Sequence, residues 1–223
     1  MTRARRAAAA LVLAAPSLLL AAALPAAATI VGIPFCQGAL ACEIADPPPA
    51  RVLPDPNDGR LLVWNERQNV FLEEDLRVDR VAEPDADYVV YKNGVPHLAA
   101  GTVVSSHYVQ WDPAEPIGAV RARIEADSRI LAFITETWGL ILTDPLLGLP
   151  GVDYSDFGLR GIERSDATWF EGDGVGLLWL ASSPGDWARL ITARSPGAGV
   201  QAPGAAARPI PAALRPTPPP PRW

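Results

Sequence analysis

The amino-acid sequence predicts an all-β protein whose folded body, residues 59–195, is an antiparallel β-sandwich. Three observations lead there. Between Arg60 and Ser195 apolar side chains recur at every second position, not at helical spacing. The apolar runs are short and rich in valine, isoleucine and aromatics, the residues that suit a pleated, half-buried surface. Glycine, proline, asparagine or aspartate separates them. A jelly roll is one topology that fits this pattern, and an open barrel is the alternative.

Residues 1–28 read as a secretory leader. Arg3, Arg5 and Arg6 form a basic head, an Ala/Leu-rich run follows from Ala7 to Leu24, and Ala26 and Ala28 give the small-x-small pattern of a cleavage site. The mature chain is expected to start at Thr29, in the periplasm or outside the cell. The apolar run is long enough for an uncleaved anchor, but Pro16 and Pro25 interrupt it. No second long apolar segment follows, so no membrane association is expected after cleavage.

Residues 29–58 form a Pro-rich lead-in strap, predicted irregular because Pro47, Pro48, Pro49, Pro54 and Pro56 remove ladder donors. Cys36 and Cys42, the two cysteines of the chain, are expected to pair in an oxidising compartment. The bridge closes a short loop worth about 2 kcal/mol. Their spacing is neither a zinc nor a thioredoxin-type motif.

In the body the clearest strand is Ala119–Asp127. Val120, Ala122, Ile124 and Ala126 point one way and Arg121, Arg123, Glu125 and Asp127 the other. Ile130–Thr135, apolar on both faces, is predicted to be central. Further strands are expected at Leu61–Asn65, Asn69–Leu72, Leu76–Val81, Tyr88–Tyr91, Thr102–Trp111, Gly158–Glu163, Thr168–Phe170, Val175–Ala181 and Trp187–Ala193. Asn93-Gly94 marks a tight turn. Helical turns are expected only within Phe71–Arg77 and Asp144–Leu149. Residues 196–223, mostly proline, alanine and glycine, are predicted to be a disordered or polyproline tail.

The chain carries 19 basic and 25 acidic residues, net −6. Six of the arginines lie in the leader and tail, which contain no acid, so the middle has a net charge of −12. Such a surface repels nucleic acid and tolerates divalent cations.

Two stretches carry a family resemblance. One is Gly59–Asp79, GRLLVWNERQNVFLEEDLRVD; the other, Leu147–Ala193, contains LGLPGVDYSDFGLRGIE and ASSPGDWARLITA. Both resemble an uncharacterised secreted β domain common in bacteria that use PEP-CTERM (exosortase-system) sorting signals. The resemblance implies an exported envelope or extracellular-matrix protein and transfers no catalytic residue. The tail departs from that pattern, having neither Pro-Glu-Pro nor a terminal apolar helix.

Three sets of residues are candidates for chemistry. The acidic loop around Asp153 and Asp156, with Asp166 further on, could supply oxygens to calcium, the one cofactor expected, although turn chemistry also selects Asp, Gly and Ser. Seven tryptophans are many for this length. Trp111, Trp138 and Trp169 are candidates to stack on sugar rings, whereas Trp179 and Trp187 sit among Leu and Ile and read as core. His107 shares a strand face with Val103, Ser105, Val109 and Trp111, so a hydrogen-bonded, half-buried role is expected. There is no G-x-S-x-G elbow and no P-loop, Rossmann or zincin signature. The residues therefore favour a non-enzymatic binding or structural module, with polysaccharide or envelope and matrix components as partners. The alternative is a secreted hydrolase with a glycosidase-like carboxylate pair.

Overall fold

The computed structural model describes residues 30–54, 56–182 and 184–198. The leader and nearly all of the C-terminal tail lie outside them. The described chain is all-β with one helix, in the order β1 (Ile30–Gln37), β2 (Ala41–Ile44), β3 (Arg60–Asn65), β4 (Val70–Phe71), β5 (Leu76–Arg77), β6 (Arg80–Val81), β7 (Val89–Lys92), β8 (Val95–Leu98), β9 (Val103–Trp111), β10 (Ile117–Ala126), β11 (Ile130–Ile134), α1 (Thr137–Leu147), β12 (Ala167–Glu171), β13 (Gly174–Ser182) and β14 (Asp186–Ala193).

Two open sheets face each other. One has four strands in the order β1-β10-β13-β12; the other has seven, β2-β3-β9-β14-β11-β6 with β4 added on β9. Pairing is antiparallel except for β2 beside β3. The predicted alternation of β10 holds. Val120, Ala122, Ile124 and Ala126 join Val175, Leu177 and Trp179 in the inter-sheet core, where Leu61, Val63, Val109, Trp111, Phe133 and Leu190 meet them from the larger sheet.

The larger sheet is buried on its other face as well. Leu62, Trp64, Tyr108, Leu131, Trp187 and Ile191 pack there against Leu140 and Leu147 of α1 and against Leu76 and Leu98 of a small three-stranded sheet, β5-β8-β7. This third layer explains why Ile130–Ile134 is apolar on both sides. Asn93 and Gly94, both at positive φ, turn β7 into β8 as expected.

The structure differs from the sequence expectation in four places. The strap is not irregular throughout, because Ile30–Gln37 and Ala41–Ile44 pair with β10 and β3. Prolines are tolerated there because β1 is an edge strand whose register breaks between Gly32 and Phe35, around Pro34. Gly158–Glu163 is a loop, not a strand; single backbone bonds hold it, Ile162 N–H to Thr135 O at 3.1 Å and Trp187 N–H to Gly161 O at 3.0 Å. The helix runs over Thr137–Leu147, starting seven residues before the expected turn at Asp144, and contains Gly139 and Pro145. Phe71–Arg77 holds the ends of β4 and β5, not a helical turn.

Cys36 and Cys42 are bonded, with Cα atoms 6.4 Å apart. One lies on β1 and the other on β2, so the bridge ties the two sheets together at one edge. The turn between them needs Gly38, at φ +93°, where a Cβ would stand 2.0 Å from the Ala119 carbonyl oxygen.

Candidate functional site

The outer face of the four-stranded sheet carries a row of side chains in register. Phe35 on β1 pairs with Arg123 on β10, Arg123 with Gly176 on β13, and Gly176 with Trp169 on β12. Strand alternation puts all four on the face opposite the core. Three strand spacings separate Phe35 from Trp169, about 14 Å, which is longer than one sugar ring. Gly176 has no side chain to hold the indole off the sheet. A Cβ there would stand 2.1 Å from Trp169 Cε2, so the ring lies directly over the glycine.

Polar groups surround this row. The Trp169 indole N–H donates to Glu171, and Arg123 donates to Glu171 as well as to Glu125, the latter at 3.0 Å. The Trp169 N–H first, and then the Arg123 guanidinium, hold the Glu171 carboxyl below the usual carboxylate range. Arg121 places its guanidinium 5.9 Å from the centre of the Phe35 ring. Between these groups is an open groove of about 270 Å³ lined by Phe35, Arg121, Arg123, Trp169, Glu171 and Gly176. The arrangement offers two aromatic faces, fixed charged donors and a charged acceptor.

Of the three tryptophans singled out from sequence, only Trp169 belongs to this groove. Trp111 is fully buried in the inter-sheet core, so no ligand ring can reach it, which corrects its assignment as a binding residue. Trp138 is 51% exposed in the first turn of α1, on the third layer and away from the groove. Trp179 and Trp187 are core, as expected. Phe35 and Arg123 were not singled out. Phe35 lies in the Pro-rich strap, and Arg123 looks like any polar residue of an alternating strand. The usable signal was Trp169-x-Glu171, two functional groups at strand spacing on one face.

The acids are also redistributed. Asp153 accepts from Ser155 N–H at 3.0 Å and pairs with Arg51 at 3.1 Å on the surface. This is turn chemistry plus an exposed ion pair. Asp156 is exposed on the same loop, at the rim of a depression of about 400 Å³. Asp166 is not with them. It accepts from Glu163 N–H at 2.6 Å and Leu180 N–H at 2.8 Å, and its carboxylate groups with those of Glu163 and Asp186, the ligand oxygens lying within 4.8 Å of one another. Burial pushes the Asp186 carboxyl up to about 9, with Glu163, Asp166 and Asp112 adding to the effect. Asp186 is fully buried and Asp166 nearly so, whereas Glu163 is exposed.

Two further polar sets are structural. Beneath α1, Arg189 makes a two-pronged pair with Glu66, at 2.6 and 2.7 Å, and reaches Asp144 at 2.8 Å. Arg160 pairs with Asp144 through both terminal nitrogens, at 2.6 and 2.8 Å, and donates to the Tyr108 hydroxyl at 3.0 Å. Every charge here has its partner, and both arginines are fully buried. His107 is buried more deeply than expected. Its Nδ1 lies 3.0 Å from Asn65 Oδ1 and its Nε2 3.2 Å from Thr192 Oγ1.

Comparison with known family models, curated proteins and solved structures finds no match for this chain. Among the described residues no helix is long and apolar enough to cross a membrane.

Proposed function

We propose that this chain is an exported β-sandwich binding module of the envelope or extracellular matrix. It engages polysaccharide on the outer face of its four-stranded sheet. The observation that carries the reading is the cross-strand row Phe35–Arg123–Gly176–Trp169, with the indole laid flat over a glycine. A flat, sheet-mounted aromatic ring offers a low-entropy stacking surface for the apolar face of a sugar. Arg123 and Glu171 are held in fixed, charged positions beside it, suited to sugar hydroxyls. Export is supported by the leader pattern and by the Cys36–Cys42 bridge. The envelope or matrix setting rests on the resemblance to secreted domains of PEP-CTERM-bearing bacteria.

The test is retention on insoluble polysaccharides and a glycan array, using the chain purified from the culture medium or periplasm. Wild type is expected to bind at least one glycan class, and Trp169→Ala to weaken that binding about tenfold, the equivalent of 1.4 kcal/mol. Wild type that binds no glycan, or Trp169→Ala that binds as well as wild type, would refute the reading. N-terminal sequencing of the secreted protein is expected to begin at Thr29.

A further inference from the structure

The second cluster of chemistry-bearing side chains lies at the end of the sandwich, where the loop before β12 meets the start of β14. Asp186 is the first residue of β14 and is fully buried. No N–H or hydroxyl donates to either of its carboxylate oxygens, and the side chain that meets it is the Glu163 carboxyl. An ionised carboxylate buried without a hydrogen bond is costly enough that it should be neutralised or paired. Its close carboxylate neighbours are Asp166, which is 4% exposed, and Glu163, which is exposed. Asp166 is aimed by the backbone, since Glu163 N–H and Leu180 N–H each hold one of its oxygens. The loop itself is fixed to β14 by Trp187 N–H donating to Gly161 O at 3.0 Å.

We propose that Glu163, Asp166 and Asp186 form a binding site for a hard divalent cation, calcium, that locks the loop before β12 onto strands β13 and β14. The geometry fits the ion. Calcium–oxygen distances are about 2.4 Å, so two ligands on opposite sides of the ion stand at most about 4.8 Å apart. The ligand oxygens of this trio lie within 4.8 Å of one another. All the ligands are oxygens, which selects calcium or magnesium over softer metals. The exposed Glu163 gives the ion a way in and leaves room for water to complete six to eight ligands, a flexibility that suits calcium better than magnesium. The site is separate from the groove on the sheet face, and its test does not depend on glycan binding.

The experiment uses the full secreted chain after chelation. Calcium chloride, and separately magnesium chloride, is titrated while the melting temperature and the heat of binding are followed. Calcium at a hundredfold excess over its Kd is expected to raise Tm by roughly 5–10 °C, with magnesium weaker. Asp186→Asn keeps the shape and removes the charge, so it is expected to fold in chelator and to lose the calcium response. Glu163→Gln, at the surface, is expected to raise the Kd for calcium at least tenfold. Asp153→Ala and Asp156→Ala are expected to respond as wild type. The proposal is overturned if wild type shows neither heat nor a Tm shift at millimolar calcium. It is equally overturned if Asp186→Asn retains the response, or if Asp153→Ala abolishes it.

Discussion

His107 is expected to make the fold acid-labile in a way that can be separated from every other titrating group. The imidazole is fully buried on β9, and burial pulls it down from its ordinary 6.5 to about 3. The sign follows from linkage. Below pH 6.5 the unfolded chain takes up a proton that the folded chain refuses, so stability falls as pH falls, until the folded pKa near 3 is reached. The slope approaches about 1.4 kcal/mol per pH unit well below pH 6.5, which integrates to roughly 2.3 kcal/mol between pH 6.5 and 4.5. That is a large fraction of the stability of an ordinary domain. His107→Gln is the perturbation, because an amide can still bond Asn65 and Thr192 but does not titrate. Urea unfolding at pH 7 and pH 4.5 is the assay. At pH 7 the variant is expected to be the less stable by about 1–2 kcal/mol, through imperfect packing and hydrogen bonding. At pH 4.5 the order is expected to reverse, because only wild type carries the histidine penalty. Acidic groups titrate in both proteins and cancel in the difference. Equal losses for wild type and His107→Gln between the two pH values would refute the reasoning.

Two other substitutions probe the remaining features. Arg189→Met strands Glu66 in the interior without its two-pronged partner and is expected to cost about 3–5 kcal/mol in urea unfolding, with Glu66→Gln in the same chain recovering part of the loss. Gly176→Ala would put a Cβ 2.1 Å from Trp169 Cε2, so the indole must lift. Near-ultraviolet circular dichroism is expected to change, and glycan retention to fall toward that of Trp169→Ala, while the melting temperature moves by only a few degrees.

The sheets were legible in the sequence wherever one face meets core and the other meets water. Val120 to Ala126 alternates cleanly, and the structure follows it residue by residue. Legibility failed where tertiary contacts overrode local signals. Thr137–Leu147 has Gly139, Pro145 and no continuous polar face, yet it is helical because Leu140 and Leu147 fill the third layer and Asp144 pairs with two buried arginines. Gly158–Glu163 reads as a strand, but Arg160 in its middle is pulled into that same charged set, and no regular ladder can hold a residue so displaced. The strap hid Phe35, because prolines argue against strands and an edge strand with a register break is the exception. For the acids, sequence proximity suggested Asp153, Asp156 and Asp166, but chain neighbours on a loop diverge. Asp186, twenty residues beyond Asp166, is the one brought beside it.

The layering also decides which surface is free to bind. The seven-stranded sheet is covered on both sides, by the four-stranded sheet and by the layer that contains α1. The Glu66–Arg189–Asp144–Arg160 set fixes that second cover, since two-pronged arginine pairs have one geometry, whereas apolar contacts alone would let α1 slide. Among the described residues the four-stranded sheet has no such cover on its outer face. Phe35, Ile117, Leu178 and Leu180 are exposed there beside Trp169 and Arg121. Alternating strands in water usually place polar residues outward, and β10 does so with Arg121, Arg123 and Glu125. Its neighbours β13 and β1 do not, placing Leu178, Leu180 and Phe35 outward instead. An apolar strip flanking a charged strand is a surface suited to a ligand that is apolar on its faces and polar at its rim. Sugar rings have that character, and the row through Trp169 is where the sheet provides both.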